Sequence, residues 1–135
     1  MQVWNLLKDA LLWGCLGLVV ECCFTGIKSI LKKDKLATSK TYLWMMPIYG
    51  IAGLTFQVMQ MYIPITGWVQ VPVWGAMIIG WEYLSGLILH RWIGQCPWNY
   101  GNSRWSVNGF IRLDYIPYWL LLAAAFHYAL RQGVI

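Results

Sequence analysis

Two carboxylates stand inside long apolar stretches of this sequence, Glu21 and Glu82. An acid near the centre of a membrane-spanning helix costs roughly 2.5–3.5 kcal/mol on insertion scales, so it turns toward the interior of a helix bundle or a water-filled cavity. There a carboxylate can bind a cation or an amine, or take up and release a proton. Helical spacing puts Ser85 and Gly86 on the face of Glu82, with Leu89 and His90 one turn further. It aligns Glu21 with Gly14, Gly17 and Thr25, and it groups Gly50, Gly53, Gln57 and Gln60 in a third small and polar stripe that continues to Pro64. The three stripes are expected to face a common interior. The alternative is structural. Arg91, Arg112, a Tyr hydroxyl or a Trp N–H would satisfy each carboxylate, and the glycine stripes would be helix-packing surfaces. His90 adjoins Arg91 at the expected membrane edge, where an interfacial or hydrogen-bonding role outweighs catalysis. His127 is read in the same way.

The elements that carry these residues are set by hydropathy. The chain has 135 residues, 59% hydrophobic and 11% charged, against about 25% charged for an average soluble domain. A soluble protein of this size exposes too much surface to hide so many apolar side chains. Residues 41–81 contain no charge at all, enough for two spans of about 20 residues each. Ten Trp and eight Tyr fit the aromatic belts at the two faces of a bilayer. The expected fold is a single all-α integral membrane domain with four transmembrane helices at 6–27, 42–63, 71–92 and 116–133. A turn at Pro64-Ile65-Thr66-Gly67 closes the second span.

Loop 28–41 carries Lys28, Lys32, Lys33, Lys35 and Lys40 against Asp34, loop 64–70 is uncharged, and the region after the third span holds Arg91, Arg104 and Arg112. By the positive-inside rule, loops 28–41 and 94–115 are cytoplasmic and both termini lie outside the cell membrane. The lysines of 28–40 are expected to meet anionic lipid headgroups, and no nucleic-acid recognition module is visible. Segment 94–115 is too polar to span. Its aromatic residues Trp98, Tyr100, Trp105 and Phe110 place it at the interface or as a re-entrant loop between the third and fourth helices.

Several chemistries have no support. The cysteines Cys15, Cys22, Cys23 and Cys96 form no CxxC pair and the two histidines are distant in sequence, so no metal site or cofactor is expected. No nucleophile–histidine–acid constellation and no phosphate-binding glycine loop is present. No cleavable signal peptide is expected, since Lys8 and Asp9 interrupt the first segment.

Longer motifs are more specific. Trp81-Glu82-Tyr83-Leu84-Ser85-Gly86, then Cys96-Pro97-Trp98-Asn99-Tyr100 and Gly109-Phe110-Ile111-Arg112-Leu113, resemble the CmpB-like ABC-transporter type IV family. The small transmembrane protein 229 group looks similar over the same stretch. Gly17-Leu18-Val19-Val20-Glu21 and the Tyr49-Gly50 pair also fit the family pattern. The resemblance carries Glu21, Tyr49, Gly50, Glu82, Gly86, Trp98, Tyr100 and Gly109 as family positions. It departs at Asn99, where the family has Asp, at Ser106, where it has Asn, and at His90, where many members have Glu.

These readings converge on permease-like handling of a small solute or cation at a polar intramembrane site. Its binding residues would be Glu82, Glu21, Ser85, Gln57, Tyr49, Trp98, Tyr100, His90 and Arg91. Four spans enclose little interior, so a homo-oligomer or a partner membrane subunit is expected. The alternatives are a non-transporting accessory or scaffold subunit and a membrane-embedded lipid-modifying enzyme.

Overall fold

The computed structural model describes residues 2–63 and 67–132. Four helices carry the fold: α1 (Gln2–Leu31), α2 (Met45–Tyr62), α3 (Gln70–Ile93) and α4 (Ile116–Arg131). A two-stranded antiparallel ribbon, β1 (Ser106–Val107) with β2 (Ile111–Arg112), lies between α3 and α4. The turn expected at 64–66 and the end of the fourth span at Gly133 lie outside the described residues.

Among the described residues, two helices are long and apolar enough to cross a membrane, over Val3–Leu31 and Gly67–Ile93. The first starts earlier and ends later than expected: helix continues past Ile27 through Lys28 to Leu31, because nothing in 28–31 breaks it. At 16 residues, α4 falls short of the roughly 20 that a perpendicular crossing needs.

The chain divides into two compact units, Met1–Tyr62 and Ile63–Ile135. In the first, α1 and α2 pack antiparallel through reciprocal glycines. A methyl added at Gly14 would lie 2.6 Å from the Met46 carbonyl oxygen, and one at Gly50 would lie 2.7 Å from that of Ala10. Gly17 and Gly53 likewise face the rings of Tyr49 and Trp13. The small-residue stripes of these two helices therefore let backbones approach closely, as small residues do between membrane helices.

In the second unit α3 packs on α4. Gly94, at φ 83°, ends α3 in the left-handed conformation that glycine adopts without strain. The chain then turns back. Cys96, Trp98, Phe110, Ile111 and Tyr115 form the apolar core of the 94–115 segment, and burial raises the Cys96 thiol above its ordinary range. At the ribbon's turn, Asn108 and Gly109 both have positive φ, 54° and 78°, the backbone requirement that favours Asn-Gly in tight hairpins.

Candidate functional site

The second unit builds a site around Glu82. On α3, positions 82, 83, 86 and 90 receive the returning loop. Gly86 has no side chain, and the Phe110 ring occupies the notch: a methyl there would sit 3.0 Å from Phe110 Cβ. Phe110 stacks at 5.6 Å from Tyr83 on one side and 5.6 Å from His90 on the other. The Trp98 indole N–H donates to the Phe110 carbonyl at 3.1 Å, and the Tyr100 amide donates to the Gly109 carbonyl at 2.9 Å. Those contacts fix Tyr100 so that its hydroxyl donates to Glu82 Oε1 at 2.7 Å. Asn108 adds a second tie, its Nδ2 donating to the Tyr83 hydroxyl at 2.9 Å.

Tyr100 also meets Tyr115 edge-on at 5.6 Å. Tyr115 in turn lies under the Arg112 guanidinium, 4.6 Å from the ring centroid. Arg112 is held by Asp114 through its Nε at 3.0 Å and its Nη2 at 2.5 Å, a bidentate pair that raises its pKa further. Of the residues weighed as partners for Glu82, a tyrosine hydroxyl is the one found on Oε1, while Arg112 is engaged by Asp114 and Arg91 is exposed. Ser85 shares the helix face but turns inward on its own backbone, donating to the Trp81 carbonyl at 2.6 Å and the Glu82 carbonyl at 3.1 Å. His90 is exposed and presents its ring to Phe110.

The first unit builds a second site around Glu21. Thr41 donates its hydroxyl to Glu21 Oε2 at 2.8 Å, and the Tyr49 hydroxyl reaches the same oxygen at 3.3 Å. One turn along α1, the Thr25 hydroxyl donates to the Glu21 carbonyl at 2.9 Å and accepts from the Lys40 amide at 3.0 Å. Gln57 is half-buried on α2, two turns past Gly50, and takes no part in the bonds to Glu21.

Sequence reasoning passed over Asn108, Tyr83 and, as the partner of His127, Gln70. Asn108 and Tyr83 clasp loop to helix, and the Asn108-Gly109 pair was the readable signal for the ribbon. Gln70 and His127 form a buried pair in which His127 Nδ1 lies 2.7 Å from Gln70 Oε1, with the Trp68 ring 5.1 Å away. Among the described residues, no cluster of three or more His, Cys, Asp or Glu could hold a metal ion.

Both carboxylates thus sit on the first helix of a helix–loop–helix unit, each hydrogen-bonded to a tyrosine hydroxyl. In each case the hydroxyl donates to a carboxylate oxygen, a bond that is stronger while the carboxylate is charged. A family model described as "Putative ABC-transporter type IV" matches residues 11–135. No solved structure matches the chain.

Proposed function

Because the chain belongs to the ABC-transporter type IV family and is a membrane protein, we propose that it handles a proton or a small cationic solute at the Glu82–Tyr100 site. The observation that carries the reading is the 2.7 Å bond between a carboxylate on an apolar helix and a hydroxyl on the loop that closes over it. A bond to an ionised carboxylate is roughly twice as strong as a neutral one. Protonating Glu82, or covering it with a cation, weakens the hold on Tyr100 and frees segment 98–109 to move as a gate.

All four helices cross the bilayer in this reading, with both termini outside and loops 28–41 and 94–115 in the cytoplasm. The support for it lies at the helix ends. Exposed Trp4 stands near the start of α1, Trp44 before α2 and Tyr62 at its end, Trp68 before α3 and Trp92 near its end, and Tyr118 and Tyr128 toward the two ends of α4. Those are the positions of interfacial anchors. A locally thinned bilayer accommodates the short α4. A second copy completes the pathway, because four helices of this length enclose little interior.

Purified protein in proteoliposomes tests it. Wild type is expected to carry a proton or small-cation flux that Glu82→Gln abolishes, with unfolding in detergent still cooperative. Flux that survives Glu82→Gln removes the carboxylate from the mechanism. A second reading, a non-transporting accessory subunit, draws on the same bonds as loop fasteners. It predicts that the wild type moves nothing and that a membrane partner co-purifies in mild detergent.

A further inference from the structure

The lysine-rich segment after α1 is a built turn. Asp34 organises it: Oδ1 accepts from the Leu36 amide at 2.9 Å, and Oδ2 accepts from the Thr38 amide and the Ser29 hydroxyl, both at 3.1 Å. Lys33 and Ala37 adopt left-handed backbone, φ 68° and 51°, and the Lys33 amide closes on the Ile30 carbonyl at 2.8 Å. The Lys40 amide ties the far end back to Thr25. The acid that could neutralise the lysines is thus committed to backbone and hydroxyl donors. Among the described residues, the side chains of Lys32, Lys33, Lys35 and Lys40 are exposed and enter no ion pair.

Polarity changes abruptly here. The surface of α1 is apolar and exposed up to Ile27 (58%), Ile30 (55%) and Leu31 (78%), and the exposed lysines begin at the next residue. Within the turn Leu36 projects at 86% exposure, flanked by Lys35. An apolar helix surface followed by a turn of exposed lysines, with one exposed leucine among them, matches the step from acyl chain to headgroup.

We infer that the 32–40 turn is a binding surface for anionic phospholipid headgroups, with Lys32, Lys33, Lys35 and Lys40 on the phosphates and Leu36 inserted among the acyl chains. The reading needs α1 in the membrane and is independent of what Glu82 does. Asp34, held to a pKa of about 2 first by its bonds to Thr38 and then to the Leu36 amide, keeps the turn folded at neutral pH.

Native mass spectrometry of the full chain released from nanodiscs of mixed phosphatidylglycerol and phosphatidylcholine tests the surface. Wild type is expected to retain phosphatidylglycerol preferentially. Each Lys→Gln change among the four should cut that preference by about fivefold, and Leu36→Ser should lower retention of both lipids. Amide protection at Leu36 and Thr38 reports that the turn still forms in each variant. Equal retention of the two lipids by wild type, or an unchanged preference in the quadruple Gln variant with the turn intact, overturns the inference. Displacement of bound lipid by inorganic phosphate alone also overturns it, since the surface would then read free anion rather than lipid.

Discussion

The two units hold a carboxylate for different ends. In the first, Glu21 lies along an interface already made by backbone approach: Gly50 meets the Ala10 carbonyl and Gly14 that of Met46. Its Oε2 shares two hydroxyls, one of them at 3.3 Å, so the carboxylate trims a contact that glycines have set. In the second, Glu82 takes its 2.7 Å bond from a loop, and what seats that loop is a ring in a notch, Phe110 against Gly86. Glu21 is held from two places at once, by Tyr49 on α2 and by Thr41 in the connection before it, over a helix pair that glycines already lock. The loop over Glu82 is held by one aromatic residue and a few hydrogen bonds, which is the feature that the proposed exchange at Glu82 draws on.

The largest expected effect tests the rigid side. Gly50→Leu drives a side chain into the Ala10 backbone, which has nowhere to go, and should destabilise the protein by about 3 kcal/mol or more, read as thermal or denaturant unfolding in detergent. Gly86→Leu displaces the Phe110 side chain instead, so it should cost about 1–3 kcal/mol and raise proteolysis within 98–109. Gly80→Leu, where nothing lies within 4 Å of an added methyl, serves as the neutral control. Gly86→Leu costing more than Gly50→Leu would reverse the contrast.

Next come the hydroxyls. Tyr100→Phe leaves a carboxylate oxygen of Glu82 without this donor and should cost about 1–3 kcal/mol, with faster amide exchange across the ribbon. Tyr49→Phe removes the longer bond while Thr41 remains on the same oxygen, so its cost should stay below about 1 kcal/mol. Equal effects of the two substitutions would mean that the sites are held alike.

Much of this contrast is legible in the sequence, and the unread part has a physical cause. Hydropathy located the helices, because burying or exposing about twenty apolar residues outweighs local detail. The stripes through Gly14, Gly17 and Glu21 and through Gly50 and Gly53 follow from helical period, but their direct packing on each other does not, since period alone put the Glu82 stripe on a common interior with them. What hydropathy could not supply is the 94–115 segment, whose order comes from a turn, a ribbon and long-range contacts. Asn108-Gly109 marked the ribbon, yet its strands of two residues each are too short to show alternation. The bond from Tyr100 to Glu82 joins residues eighteen positions apart and depends on the Phe110 notch, which lies in non-helical chain, so spacing gave no route to it. The Gln70–His127 pair was hidden for the same reason: each residue lies on its own helix, and only tertiary packing brings them together.

The smallest expected effect is confined to the 28–40 turn and separates the units by acid. Asp34 titrates at about 2 in the folded chain, against about 3.9 for an unperturbed aspartate. A group whose folded pKa is depressed contributes stability that is full above the unfolded value and is lost as pH falls through the folded one. The turn should therefore hold from neutral pH down to about 4 and loosen between about 4 and 2, as the bonds to Thr38, the Leu36 amide and Ser29 lose their charged acceptor. Amide chemical shifts of Leu36 and Thr38, followed through that range, read it directly, and Asp34→Asn should flatten both curves. The Phe110–Gly86 contact in the other unit carries no charge, so the Phe110 ring signals should not follow the Asp34 transition. A midpoint near 4 at Thr38 would mean that the turn's bonds do not favour the carboxylate, and the preset lysine surface would lose its organiser.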